Sequence, residues 1–210
     1  MIKNVIFDLG RVIYNFEPRA DLISLGFDDK RADKLMECVF GNPIWLECDR
    51  GTYTIPQMID TICKEYPDMA EDVMRVQGND WKAWTDRVIT IMPDSLEFFY
   101  EVKRRGFKVY ILTNFPEPNF SYVRERDAFY NDADGIVVSA HEKINKPDHG
   151  IYINLLERYK LVAEETLFID DMPGNIAAAK ELGFKGIQFI NLADCKRQFE
   201  EILTGDKRCD

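Results

Sequence analysis

The chain of 210 residues carries 27 Lys and Arg against 37 Asp and Glu, a formal net charge of −10 with both histidines neutral. With 46% hydrophobic and 12% aromatic residues it can fill the core of one compact domain with a substantial insertion, which argues against disorder. An acidic chain with no basic run is repelled by nucleic acid and by anionic membrane surfaces, so neither is an expected partner.

The opening MIKNVIFDLG holds an apolar run too short for a signal-peptide core or a bilayer span. The five cysteines, Cys38, Cys48, Cys63, Cys195 and Cys209, form no CxxC pair, so reduced thiols and a cytoplasmic location are expected. Two histidines, His141 and His149, are too few for a histidine-based metal site, and any chemistry must rest on carboxylates.

A first buried strand is predicted over Val5 to Phe7. From about Phe16 to Thr90 no strand signal is visible and helix follows helix. Asp28 caps a segment through Phe40, and Gly41-Asn42-Pro43 and Tyr66-Pro67 break the run. Thr54 with Gln57 forms a capping box ahead of the Met58, Ile59, Ile62 stripe. Such a block suggests a cap over the carboxyl edge of a parallel sheet, where open α/β sheets bind ligands. Further strands are predicted at Val109 to Leu112, Ile136 to Val138, Leu167 to Ile169 and Ile187 to Ile190, with helices between them. Asp94 and Glu97 read as a capping pair for a helix that Gly106 stops, and Ile176 to Leu182 as a helix that ends at Gly183. The expected organisation is a core of residues 1–15 and 91–210 with a helical cap of residues 16–90. Residues 16–90 hold 15 acidic and 9 basic side chains, so an acidic cap must close over whatever the core binds.

Asp8 ends the first strand, Thr113-Asn114 the second and Asp170-Asp171 the fourth, while Lys146 follows the third in INKPDHG. In a parallel sheet these ends share one edge, so three carboxylates, a hydroxyl, an amide and an ammonium converge. Carboxylate oxygens with open positions suit Mg²⁺, which keeps waters and accepts phosphate oxygens. Asp8 can then attack a phosphoryl group in line to give an aspartyl-phosphate. Mg²⁺, Lys146, Thr113 and backbone N–H groups would stabilise the transferring oxygens. Plainer readings exist: Asp170-Asp171 can cap the helix that follows, and Thr113-Asn114 can be a turn.

The ordered set FDLGRV, ILTN, NKPDHGIY and FIDDMPGNI resembles the four motifs of the haloacid dehalogenase superfamily over nearly the whole chain, and is similar to its alpha-D-glucose-1-phosphate phosphatase branch. The resemblance implies a Rossmann-like α/β core with a parallel five-stranded sheet of order 5-4-1-2-3 and a helical cap inserted after the first motif. It implies Asp8 as nucleophile, Thr113 and Asn114 as phosphate-binding residues and Lys146 as the group that orients both. Mg²⁺ would be held by Asp8, the backbone carbonyl of Gly10 and Asp171, with Asp170 assisting. The expected function is Mg²⁺-dependent hydrolysis of a small phosphorylated metabolite, such as a hexose 1-phosphate.

Where most phosphatases of that superfamily carry a general-acid Asp two residues after the nucleophile, this chain has Gly10. Proton transfer typically contributes ~10²- to 10⁴-fold to rate, so the defect is best tolerated by a sugar 1-phosphate, whose anomeric hydroxyl leaves more readily. His141 and Glu142 are alternative donors on paper, against a plain solvated loop pair. Arg50 in ECDRGTYT can reach a substrate or form a surface salt bridge. Trp45, Trp81 and Trp84 can pack in the core or line a sugar face. Three other functions compete. A halide-releasing dehalogenase needs no extra acidic pair, a receiver-type signalling module carries its acidic pair on the first strand, and a weakly catalytic phosphate-ligand binding protein is consistent with Gly10.

Overall fold

The computed structural model describes residues 1–78 and 80–206; Cys209 lies outside the described residues. The strands are β1 (Asn4–Phe7), β2 (Tyr14–Phe16), β3 (Ile89–Ile91), β4 (Lys108–Thr113), β5 (Gly135–Val138), β6 (Thr166–Asp170) and β7 (Lys185–Gln188). Five of them make one parallel sheet in the order β5-β4-β1-β6-β7.

Numbered along the whole chain this order is 5-4-1-6-7 rather than the expected 5-4-1-2-3, because β2 and β3 take two of the numbers. They pair with each other in a separate antiparallel ribbon, with Tyr14 opposite Ile91 and Phe16 opposite Ile89. Among the five sheet strands alone, the neighbours are those of the expected order read from its far edge. The ribbon corrects the expectation of an all-helical stretch from Phe16 to Thr90. Strands of three residues carry no readable alternation, and their partners are far apart in sequence.

Between β2 and β3 lie α1 (Pro18–Ser24), α2 (Asp29–Leu35), α3 (Pro43–Asp49), α4 (Ile55–Glu65), α5 (Ala70–Val73) and α6 (Trp81–Val88). Asp28 caps α2 by accepting from the Arg31 N–H at 2.8 Å, and a π-helical turn carries the segment on through Phe40. The Thr54 and Gln57 capping box on α4 is present. The remaining helices are α7 (Pro93–Arg104), α8 (Asn119–Arg126), α9 (Ser139–Glu142), α10 (His149–Tyr159), α11 (Pro173–Glu181) and α12 (Leu192–Asp206).

Period-two alternation along the sheet builds a core on each face. Val5 and Phe7, Val109 and Ile111, and Leu167 and Ile169 pack with Phe98, Phe99 and Phe199 on one face. Ile6, Tyr110, Leu112 and Phe168 pack with Ile151, Tyr152, Leu155 and Ile176 on the other. Two local expectations fail. The last strand starts at Lys185 rather than Ile187, because Gly183 at φ +95° ends α11 at once and Ile187 pairs with Ile169, leaving Ile190 71% exposed. Asp94 and Glu97 do not cap α7: Pro93 opens that helix, no side chain caps its start, and Glu97 accepts instead from Arg104 at 2.6 Å. Among the described residues no helix is long and apolar enough to cross a membrane.

Candidate active site

The parallel register places Phe7 opposite both Ile111 and Ile169, so the residues that follow on β1, β4 and β6 emerge at one edge. Asp8 is held there by its N–H, which donates to the Ile169 carbonyl at 2.9 Å. Lys146 reaches into the same edge. Its buried Nζ stands 2.8 Å from Asp8 Oδ1 and 2.7 Å from Asp170 Oδ2, and donates to the Leu112 carbonyl at 3.0 Å. The lysine loop is clamped by Asn114, whose Oδ1 accepts from the Lys146 N–H at 2.9 Å while its Nδ2 donates to the Lys146 carbonyl at 3.0 Å. Thus Asn114 lies beside the cavity but uses both ends of its amide on the backbone, and Thr113 is buried at the end of β4 outside the cavity lining.

Carboxylate oxygens of Asp8, Asp170 and Asp171 lie within 4.8 Å of one another. Hard oxygen donors in such a cluster fit Mg²⁺. They are not equally free. Fully buried Asp170 accepts from the Met172 N–H at 2.8 Å, from Asn175 Nδ2 at 2.9 Å and from Lys146, whereas half-buried Asp171 has a backbone N–H and, at 4.0 Å, the Arg11 guanidinium beside it. Asp8, Gly10 and Asp171 line a cavity of about 520 Å³, and Asp170 does not.

Burial pushes the Asp8 carboxyl up to about 7, with Lys146 opposing and Asp170 reinforcing. Burial and the Asp170 charge also raise Asp171. Burial works against the Lys146 ammonium, but the charges of Asp170 and Asp8 outweigh it and raise its pKa. Carboxyls whose pKa is higher in the folded chain contribute stability that is complete below about pH 4 and lost as pH rises through about 7. A divalent cation favours the charged forms and reverses that loss. At ~100 times its Kd, Mg²⁺ is therefore expected to add about 2.7 kcal/mol at pH 8, a Tm rise of about 5–10 °C. The rise shrinks at pH 5.5. A thermal melt series with EDTA or MgCl₂ checks this, and an equal or larger rise at pH 5.5 speaks against the site.

The opposite wall of the cavity comes from the β2 to β3 insertion: Phe16 and Phe40, Trp45 and Leu46, Asp49, Trp84 and Thr85. Trp45 and Trp84 pack on Phe40, with ring centroids 4.7 and 6.1 Å away, while Trp81 stands elsewhere against Tyr122 at 5.7 Å. Arg50 pairs with Glu47 at 2.6 Å and takes no part in the lining. Nor do His141 and Glu142: the histidine bonds Glu117 at 2.6 Å and the glutamate pairs with Arg158 at 2.8 Å.

The family model for haloacid dehalogenase-like hydrolases matches residues 2–183. The chain belongs to this family. This haloacid dehalogenase-like hydrolase is 30% identical over 203 residues to a sesquiterpene phosphatase of Aspergillus oryzae, covering 92% of this chain and 93% of the relative. It is 27% identical over 215 residues to the D-ribitol-5-phosphate phosphatase of Bacteroides thetaiotaomicron, covering 97% of this chain and all of the relative. A solved structure of a haloacid dehalogenase family enzyme from Bacteroides thetaiotaomicron, in complex with magnesium and inorganic phosphate, shares the fold. Its TM-score is 0.67 at 22% identity, over 89% of this chain and 93% of that one.

The sequence of this haloacid dehalogenase-like hydrolase does not single out Arg11 or Asp49, and Asn175 reads there only as a residue that shapes a helix start. Arg11, at φ +55°, follows Gly10 in the turn after β1, and Asn175 sits in the first turn of α11 with its amide on Asp170. Asp49 is 8% exposed, and burial pushes it up to about 7, with Lys146 opposing and Asp8 adding to the rise. Within ECDRG no spacing distinguishes Asp49 from the acidic Glu47 beside it. Gly51, at φ +70°, lets the chain pass so close that an added Cβ would lie 2.7 Å from the Ala140 carbonyl oxygen and 2.6 Å from Lys143 Nζ.

Proposed function

We propose that this haloacid dehalogenase-like hydrolase is a Mg²⁺-dependent phosphatase that hydrolyses a small phosphorylated metabolite through an aspartyl-phosphate on Asp8. The observation that carries the reading is Lys146 Nζ held between Asp8 and Asp170 beside the open carboxylate of Asp171, at the mouth of a cavity sized for a small molecule. Both phosphatase relatives support it. Asp8 attacks phosphorus in line. Lys146 offsets repulsion between the carboxylate and an anionic substrate, and Asp170 with Asn175 holds that lysine in place. Asp8, Asp171 and the Gly10 carbonyl would hold Mg²⁺, which when bound neutralises charge on the phosphoryl oxygens. Residues 16–90 act as the cap that closes over the leaving group. A halide-releasing reaction would leave the Asp171 carboxylate without a task.

For the leaving group we favour a sugar, as in a hexose 1-phosphate. Trp45 and Trp84 line the cavity, and Asn119 beside it keeps a buried Oδ1 without a partner. Its amide is oriented, since Nδ2 donates to Thr85 Oγ1 at 2.8 Å and that hydroxyl donates to the Trp81 carbonyl at 2.7 Å. A sugar hydroxyl would satisfy the orphan acceptor. An apolar alcohol is the second reading, favoured by the aromatic wall and by the sesquiterpene phosphatase relative. Phosphate release from hexose 1-phosphates, hexose 6-phosphates and prenyl monophosphates, with Mg²⁺ and with EDTA, tests both. We expect Mg²⁺-dependent turnover with 1-phosphates ahead of 6-phosphates. A prenyl ester ahead of both replaces the sugar reading, and release that persists in EDTA refutes the metal.

A further inference from the structure

In-line attack by Asp8 sends the leaving oxygen away from the sheet edge and towards the insertion. On the core side the position two residues after the nucleophile carries no acid: it is Gly10, where an added Cβ would meet nothing within 4 Å. Among the described residues lining the cavity, the insertion contributes one carboxylate, Asp49 at the end of α3. Among the described residues the other buried carboxylates are all paired, Asp8 and Asp170 with Lys146 and Asp21 with Arg87 at 2.7 Å. The Asp49 carboxyl makes no hydrogen bond or ion pair to any described residue. A buried acid in that condition is costly to ionise and is suited to hold a proton.

Its support is rigid. The Asp49 carbonyl accepts from the Ser139 hydroxyl, the Leu46 carbonyl from Asn145 Nδ2 at 2.7 Å, and the Gly51 carbonyl from Lys143 Nζ at 2.7 Å. Three contacts therefore fix the end of α3 to the segment that leads into Lys146, so Asp49 and Lys146 are set in one frame. The charged groups around it are Asp8 and Lys146 across the cavity, the Glu47 and Arg50 pair on its own turn, and Lys143 bonded to Gly51.

We propose that Asp49 is the general acid and base of the reaction, taking the place of the acid that Gly10 lacks. As the bond from phosphorus to the leaving oxygen breaks, the electron pair stays on that oxygen, which takes the Asp49 proton and departs as the alcohol. Water then attacks the aspartyl-phosphate at phosphorus and gives a proton to the Asp49 carboxylate. The bond from phosphorus to Asp8 breaks, releasing phosphate, and both carboxyls return to their starting states. Burial keeps the Asp49 carboxyl protonated up to near-neutral pH, as the first step requires. The inference rests on the phosphatase reading.

Alcohol release under single-turnover conditions with Mg²⁺, from p-nitrophenyl phosphate and from n-butyl phosphate, tests it. In Asp49→Asn the butyl ester is expected to slow by ~10²- to 10⁴-fold and the nitrophenyl ester by less than ~10-fold, since nitrophenolate departs without a proton. Asp49→Glu, which keeps an acid, loses less on the butyl ester than Asp49→Asn does. The nitrophenyl reaction reports that each variant is folded with its nucleophile in place. Equal losses on the two esters, or an unimpaired butyl reaction, overturn the inference. A wild-type protein that releases neither alcohol overturns the phosphatase reading and the Asp49 role with it.

Discussion

Asn in place of Asp8 is expected to lower Mg²⁺-dependent phosphate release by ~10⁴- to 10⁶-fold, the scale on which loss of a nucleophile leaves only binding and electrostatic stabilisation. The amide has nearly the shape of the carboxylate but cannot form the acyl-phosphate. The fold should hold, because Lys146 keeps Asp170 at 2.7 Å and the Leu112 carbonyl at 3.0 Å. Moreover, Asp8 is buried and its pKa is raised, so a neutral group there removes repulsion with Asp170. A Tm at or above that of the wild-type protein, measured without metal, separates loss of chemistry from loss of structure. Turnover within tenfold of wild type would exclude Asp8 as nucleophile.

Lys146→Met carries the largest expected cost in stability. The ammonium is the cation in contact with two buried carboxylates, and removing one partner of a buried charge cluster costs about 3–5 kcal/mol. That is a large share of the 5–15 kcal/mol typical of a folded domain, and corresponds to a Tm fall of about 6–20 °C. The sign of its pH dependence follows from the carboxyls. Without the lysine the raised Asp8 pKa rises further, so the cost is greatest at pH 8, where Asp8 must be charged, and shrinks as pH falls and it takes up a proton. Pairing Lys146→Met with Asp170→Asn should recover part of the loss, because one unpaired charge is removed. Urea unfolding of the single and double variants at pH 8 and pH 6 measures all of this. A single variant with an unchanged midpoint would show that the lysine's charge does not hold this edge together.

Several elements of this edge were legible because their information is local. Val5 to Phe7 and Leu167 to Ile169 are short apolar runs that end in acids, and parallel strands must carry their ends to the same side. The capping box at Thr54 and the cap at Asp28 were legible for the same reason, since each is one side chain bonding one turn. The ribbon of β2 and β3 was not, because each strand is three residues long and gains its meaning only from a distant partner. Asn114 and Thr113 show the same limit within one motif. Their place in the order was readable, but not that Asn114 would spend its amide on the Lys146 backbone or that Thr113 would be buried behind the cavity.

Asp49 marks the boundary most clearly. In sequence it is one of 15 acidic residues between Phe16 and Thr90, with nothing in its spacing to set it apart. Folding buries it opposite Asp8 and Lys146 by fixing α3 to Ser139, Lys143 and Asn145, and its distinct environment arises only from that docking. Sequence alone placed the five strands of the sheet, the last of them out of step, the caps of two helices and the acids and lysine that gather at one sheet edge, because periodicity and chain order are enough to place them. Tertiary structure decided which of those groups are already occupied, which stay open to a cation and which acid faces them from the insertion. Burial and pairing depend on contacts between segments that sequence separation does not encode.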